Sequence, residues 1–251
     1  MARTTELTWR QYRTLLREWS DRYLAGPTAL TIDGRPVCAL LNLTDFAATY
    51  GTATFGIMLR YARVAIERRT GLEPYLLGLV GQIDEVSLAL VNALPIDAVT
   101  GYGLLPTWAG PPVQDYRALI RRRVREWHQF QARSRRPFLP VVCTGWDASV
   151  RGEFLGRLRT GDRYPQAPIV AGTSPEAFGE FLDEALAFNR RWHPELNVVF
   201  LHAWNEWSEC SVLEPSDRLG DALLREVRAR AGDGVEIVPG VLRPDGALAA
   251  G

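Results

Sequence analysis

The chain has 251 residues, 47% of them hydrophobic and 23% charged, a composition that can bury a substantial core and excludes a disordered or fibrous protein. Its 29 basic and 29 acidic residues cancel, so no net field would recruit nucleic acid, an anionic membrane or a polyanionic substrate. Every basic residue is Arg, a codon-bias signature, and the widely spaced Cys38, Cys143 and Cys210 read as free thiols in a reducing compartment.

The first residues, Met1 to Leu7, are polar and carry no apolar core of a secretory leader. No apolar run approaches the roughly 20 residues needed to cross a bilayer, so the expectation is a cytoplasmic protein without a membrane span. Trp9, Tyr12, Leu15, Leu16, Trp19 and Tyr23 recur at helical spacing and predict an opening amphipathic helix. Ala29 to Asp33, a turn at Gly34, and Val37 to Leu43 read as extended. The second of these is apolar on both faces, as in a buried parallel strand. A helix is expected from about Thr54 to Arg69, a strand over Pro74 to Val80, a short helix over Val86 to Leu94, and a short strand over Ile96 to Thr100. Pro112 to Arg133 reads as a long helix and Phe138 to Thr144 as a strand. Ser174-Pro175-Glu176 carries the signals of a helix start: a capping hydroxyl, proline at the first helical position, and an acid in the first turn. Asn197 to Leu201 is the last strong strand, followed by a helix over about Leu219 to Ala231 and a tail over about 233–251. Alternating strands and helices imply an α/β fold with a parallel sheet and outer helices. With no linker or repeat visible, one domain over residues 1–251 is the expectation.

In parallel α/β proteins, chemistry gathers where strands end. Unusual residues stand at such ends here: Asn42 and Asp45 after one strand, Tyr102 after another, Trp146 and Asp147 after a third. The densest run, Trp204-Asn205-Glu206-Trp207-Ser208-Glu209, follows the last strand. Glycoside cleavage needs one carboxyl to protonate the departing oxygen and a second as base or nucleophile. Glu206 and Glu209 are three apart, so a turn can aim both into one pocket. Trp204 and Trp207 offer flat faces for a sugar ring and would desolvate a neighbouring carboxyl, raising its pKa. Asn205 can hold a hydroxyl or orient a glutamate. Taken singly, two glutamates on a first turn are solvated and two tryptophans are core; the constellation at a strand end is what points to function. Glu214, before Pro215, reads equally as a supporting acid or a helix-start residue.

These residues resemble a known family. Trp204 to Glu209, with Leu213-Glu214-Pro215, Asp217 and Gly220, is similar to the signature of glycoside hydrolase family 99-like proteins. That group includes the WbsX-type proteins, described as glycosyltransferases of polysaccharide gene clusters. Gly145-Trp146-Asp147 with Arg151, Ile32 to Val37, and Ser174 to Phe178 resemble further segments of the same family, so the likeness runs from about residue 8 to 230. It implies a (β/α)8 TIM-barrel and an α-mannoside-like or bacterial polysaccharide substrate. It also implies a retaining reaction, as hydrolase or transglycosylase, through a 1,2-anhydro sugar. Carried over by position, Glu206 would be the base and Glu209 the general acid/base. Trp204, Asn205, Trp207, Trp146, Asp147, Arg151, Tyr102 and Glu214 would bind substrate. No metal or organic cofactor is implied.

Two features depart from the family. Cys210 replaces a glycine, which would shift the loop if that site needs a positive φ. About five principal strands are visible where a closed barrel has eight, and the family's opening strand has no counterpart before Trp9. The expectation is therefore an N-terminally incomplete barrel. The alternative function is a non-catalytic remnant or sugar-binding partial barrel whose open strand edges call for a partner chain or oligomer. The Arg121 to Arg125 run reads as a solvated helix face, and His202 as a supporting histidine rather than a metal ligand.

Overall fold

The computed structural model describes residues 6–102, 106–154, 163–196 and 198–231. The expected C-terminal tail and Asn197 lie outside the described residues. The chain divides into two compact units, one running to Thr100 and including Ser134–Pro137, the other comprising Gly101–Arg133 and the chain from Phe138.

The first unit opens with α1 (Trp9–Trp19). The Thr8 hydroxyl accepts from the Gln11 amide while the Gln11 side chain accepts from the Thr8 amide, so two otherwise unpaired donors are satisfied. A π-helical turn, Ser20–Leu24, carries the helix on to the span its apolar spacing predicts. Strands β1 (Thr31–Ile32) and β2 (Arg35–Leu40) form a hairpin around Asp33 and Gly34, both at positive φ. The extended reading of Leu41 to Leu43 gives way to a helix: Asn42 turns left-handed (φ 58°) and α2 (Leu43–Tyr50) follows. Gly51 separates α2, which the sequence reading did not anticipate, from α3 (Thr52–Thr70), which matches the helix expected over about Thr54 to Arg69. Strand β3 (Tyr75–Val80) runs parallel to β2, with Val37 opposite Tyr75. After α4 (Glu85–Ala93) comes β4 (Ala98–Gly101), giving the order β1-β2-β3-β4. Leu16, Phe55, Leu59, Ile66, Leu76, Leu77 and Ile96 are buried in this unit.

The entry ends of its strands are tied by one carboxylate. Asp97 accepts from Arg35 at 3.0 Å, Arg63 at 2.7 Å and the Leu76 amide at 2.7 Å. Two half-buried cations and an amide around one acid stabilise this end and leave the opposite strand ends for chemistry.

The second unit begins with β5 (Val113–Asp115) and α5 (Tyr116–Gln131). The helix starts four residues later than Pro112 suggested, because the Asp115 carboxylate caps the Ala118 amide at 2.7 Å. The expected strand from Phe138 is two pieces, β6 (Phe138–Leu139) and β7 (Val141–Val142), divided by Pro140, which has no N–H for a ladder. Then come α6 (Val150–Phe154), β8 (Ile169–Ala171) and α7 (Pro175–Trp192). Ser174 caps α7 through the Ala177 amide, with Pro175 and Glu176 in the expected roles. Strand β9 is confined to Phe200–Leu201 and runs parallel to β7. The preceding Val198 carbonyl is taken by the Asn189 side chain at 2.7 Å rather than by a ladder. Strands β5 and β8 form a second parallel pair that sequence periodicity did not reveal. Finally β10 (Asn205–Glu206), β11 (Ser211–Val212) and α8 (Ala222–Ala231) close the described chain.

The core of this unit is aromatic. The Trp127 ring stacks on Phe181 at 5.4 Å and 8°, and Phe138 and Phe188 close around it. On α5, Glu126 pairs with both Arg122 (2.7 Å) and Arg123, so much of the arginine run is neutralised within its own helix. Among the described residues no helix is long and apolar enough to cross a membrane.

Candidate active site

The Trp204–Glu209 motif folds as a hairpin just past β9. Asn205 pairs with Val212 and Glu206 with Ser211, and a 3-10 turn, Trp207–Glu209, forms the tip. Cys210 closes the turn in the left-handed conformation (φ 49°, ψ 28°). The position therefore does need a positive φ, and cysteine occupies it at a steric cost of about 1 kcal/mol relative to glycine. The Trp204 carbonyl accepts from Leu213 and Glu214, and the Trp207 indole donates to the Glu214 carboxylate at 2.7 Å, fastening the hairpin base. Glu214 is thus a supporting acid of the hairpin.

A second strand end holds the tip. The Asp147 amide donates to the Glu209 carbonyl at 2.7 Å, so the segment after β7 fixes the turn that carries Glu209. Gly145 lies within 3.3 Å of the Cys210 carbonyl from where a Cβ would stand, so only a small residue fits there.

Both glutamates meet one cation. Arg151, on the short α6, reaches Glu209 at 2.7 Å and Glu206 at 3.3 Å. Its Nε donates to the Ser208 hydroxyl at 2.9 Å, and Ser208 donates in turn to Glu206. Tyr164 accepts from the same guanidinium at 2.7 Å. The two carboxylates differ in setting: the Glu209 side chain is 7% exposed, that of Glu206 39%. The Ser208 hydroxyl, and then the Arg151 guanidinium, hold Glu206 below the ordinary glutamate pKa. For Glu206 this corrects the expectation that the flanking indoles would raise a neighbouring carboxyl. Trp204 and Trp207 are 43% and 50% exposed, so they desolvate little and present free faces instead.

Around this centre stand further rings. Tyr102 lies edge-on to His202 at 5.2 Å, and burial together with the charges of Glu209 and Glu206 pushes its phenol up. Trp146 is buried and meets Trp108 edge-on at 5.4 Å; Trp108 in turn approaches Tyr164 at 6.3 Å. Trp146, Asp147 and Trp207 also line a cavity of about 270 Å³ with Cys210 and Arg218. Asn205 stands exposed on β10. The structure thus joins Glu206, Glu209 and Arg151 directly, ties the Asp147 backbone to Glu209, sets Tyr102 beside Glu209 through His202, and links Trp146 to Arg151 through Trp108 and Tyr164. Sequence reasoning passed over Ser208, Tyr164 and Trp108. Ser208 was visible inside the motif, whereas Tyr164 and Trp108 lie in unpatterned segments with no local signal. Among the described residues no group of three or more His, Cys, Asp or Glu could hold a metal ion.

Residues 90–227, more than half of the chain, match the family described as Glycosyltransferase WbsX. The chain belongs to the WbsX family. A 98-residue stretch is 35% identical to the "Uncharacterized protein WxcX" of two strains of Xanthomonas campestris pv. campestris. The match covers 38% of this WbsX-family chain and 12% of each of those proteins. Among solved structures, a "Glycoside hydrolase-like protein" superposes with a TM-score of 0.60 at 16% identity, over 88% of this chain and 59% of that one. The GH99 endo-alpha-mannosidase from Bacteroides thetaiotaomicron superposes with a TM-score of 0.54 at 15% identity, over 89% of this chain and 62% of that one. The fold is accordingly the α/β, (β/α)8 TIM-barrel type, and the chain spans about three fifths of these solved relatives. The family and fold expected from the motif are borne out.

Proposed function

We propose that this WbsX-family protein is a retaining glycan-processing enzyme, hydrolase or transglycosylase, acting on α-mannoside-like or bacterial polysaccharide linkages. The observation that carries the reading is the convergence of Glu206 and Glu209 on Arg151, amid exposed indole and phenol rings. In this reading Glu206, kept ionised by Ser208 and Arg151, takes the proton of the sugar 2-hydroxyl. The freed oxygen attacks C1, the C1–oxygen bond to the leaving group breaks, and Glu209 supplies that oxygen with a proton. Water or an acceptor hydroxyl then attacks C1 and gives its proton to Glu209. The C1–O2 bond opens, O2 recovers its proton from Glu206, and both carboxyls return to their starting states. Trp204, Trp207 and Tyr102 offer faces to sugar rings. Asn205, Asp147 and Trp146 are the remaining proposed contacts, with Glu214 acting through Trp207.

Glu206→Gln and Glu209→Gln test the roles. Each is expected to lower turnover of aryl α-mannosides or polysaccharide fragments by about 100- to 10,000-fold in a folded protein. Wild-type turnover in either variant would sink the assignment. A second reading, a sugar-binding partial barrel that acts with a partner chain, is favoured by the 59–62% coverage of the solved relatives. Binding without turnover in the wild type would support it.

A further inference from the structure

His202 follows β9 immediately before the hairpin, and its amide donates to the Val142 carbonyl. Its side chain is 4% exposed, and its Nε2 lies 3.7 Å from Oε2 of the equally buried Glu209. Neither of these two buried atoms has a hydrogen-bond partner. Buried polar atoms are costly to leave unpaired, and here the two face one another slightly beyond bonding distance. The other Glu209 oxygen is bound to Arg151 at 2.7 Å, and the Tyr102 ring stands edge-on against the imidazole.

This arrangement answers a difficulty in the proposed mechanism. A general acid must carry a proton and hold its orientation, and Arg151 fixes only one of the two Glu209 oxygens. We propose that His202 is a positioning residue for Glu209, sharing one proton between Nε2 and Oε2 so that the acid is both oriented and kept supplied. The inference rests on the reading of Glu209 as the acid/base. The shared proton resides on imidazole or carboxyl with the same net charge of the pair. No proton is consumed: the one Glu209 gives to the leaving oxygen is replaced from the attacking water or hydroxyl. The groups facing the pair are Arg151 from α6, Tyr102 after β4, and Cys143 after β7. The Cys143 thiol is pushed up to about 12 by burial and so stays neutral.

Ring nitrogen NMR titration of the intact protein tests the pairing without any substrate, with His202→Gln identifying its signal among the three histidines. The His202 midpoint is expected to fall by about one pH unit or more in Glu209→Gln, since a facing carboxylate favours the imidazolium. An unchanged midpoint would overturn the proposal. In kinetics, His202→Phe is expected to move the alkaline limb of kcat/KM down by about one unit with KM unchanged, and His202→Gln to restore part of it. An unmoved limb in His202→Phe would also count against the pairing. If the NMR coupling holds while Glu206→Gln and Glu209→Gln keep full turnover, the enzymatic reading fails and the pairing stands.

Discussion

Ser208 controls the charge of Glu206 more directly than any other residue. Its hydroxyl sits between the Arg151 Nε and the Glu206 carboxylate, donating to the carboxylate while accepting from the guanidinium. The effect is a glutamate held below its ordinary value of 4.5. The folded value is depressed, so the linked stabilisation is present above the unfolded value and is lost as pH falls through the folded one. In the proposed mechanism the same shift keeps Glu206 available as a base into mildly acidic solution. In Ser208→Ala, the acidic limb of kcat/KM is therefore expected to move to higher pH. A pH–rate profile checks this, and an acidic limb that did not rise would show that Arg151 alone sets the charge. Glu206, Glu209 and both tryptophans were legible as a chemical cluster. Their unequal burial was not, because solvent exposure of residues three apart depends on what covers each one.

At the scale of elements, the local rules that worked were those with a covalent or near-neighbour cause. The start of α7 was readable from Ser174-Pro175-Glu176 because a cap, a fixed φ and a dipole interaction act within one turn. Helix α2 was missed because Leu41 to Leu43 continue an apolar run, and only the left-handed Asn42 breaks it. Strand β8 is three residues long and exists by pairing with β5, more than 50 positions earlier, so no window in the sequence contains its cause. Gly78, in the middle of β3, marks a close approach of elements. A Cβ there would stand 2.4 Å from Leu43 Cδ1 of α2 and 3.0 Å from Ile96 Cδ1. Leu43 is fully buried and cannot swing into solvent. Gly78→Val is expected to destabilise the protein by about 1–3 kcal/mol through overpacking, read as a lower denaturation midpoint. A neutral result would mean that α2 can lift from the sheet without loss.

At the scale of the whole chain, the candidate site lies within the second unit and inside the stretch that matches the WbsX family. Binding and turnover can be separated there. Glu209→Gln removes the proposed acid but leaves the exposed rings, so a glycan that fits is expected to stabilise it as it does the wild type. At a concentration about 100 times its Kd the gain is about 2.7 kcal/mol, an upward shift in Tm of about 5–10 °C. A thermal scan with α-mannose-containing oligosaccharides checks this; no shift in either protein would argue against these sugars as ligands. The amino-acid sequence by itself determined the alternation of strands and helices, the capped start of α7 and the family motif. Each of these is settled by residues within a few positions of one another. Only the tertiary structure decided that Arg151, 55 residues before Glu206, joins both carboxylates, and that His202 faces the buried oxygen of Glu209. The strand-end hairpin that opened as a cluster of acids and indoles is thereby a charged centre with one exposed and one buried carboxylate. That inequality arises because neighbours in space, not in sequence, remove water from one glutamate and leave it around the other.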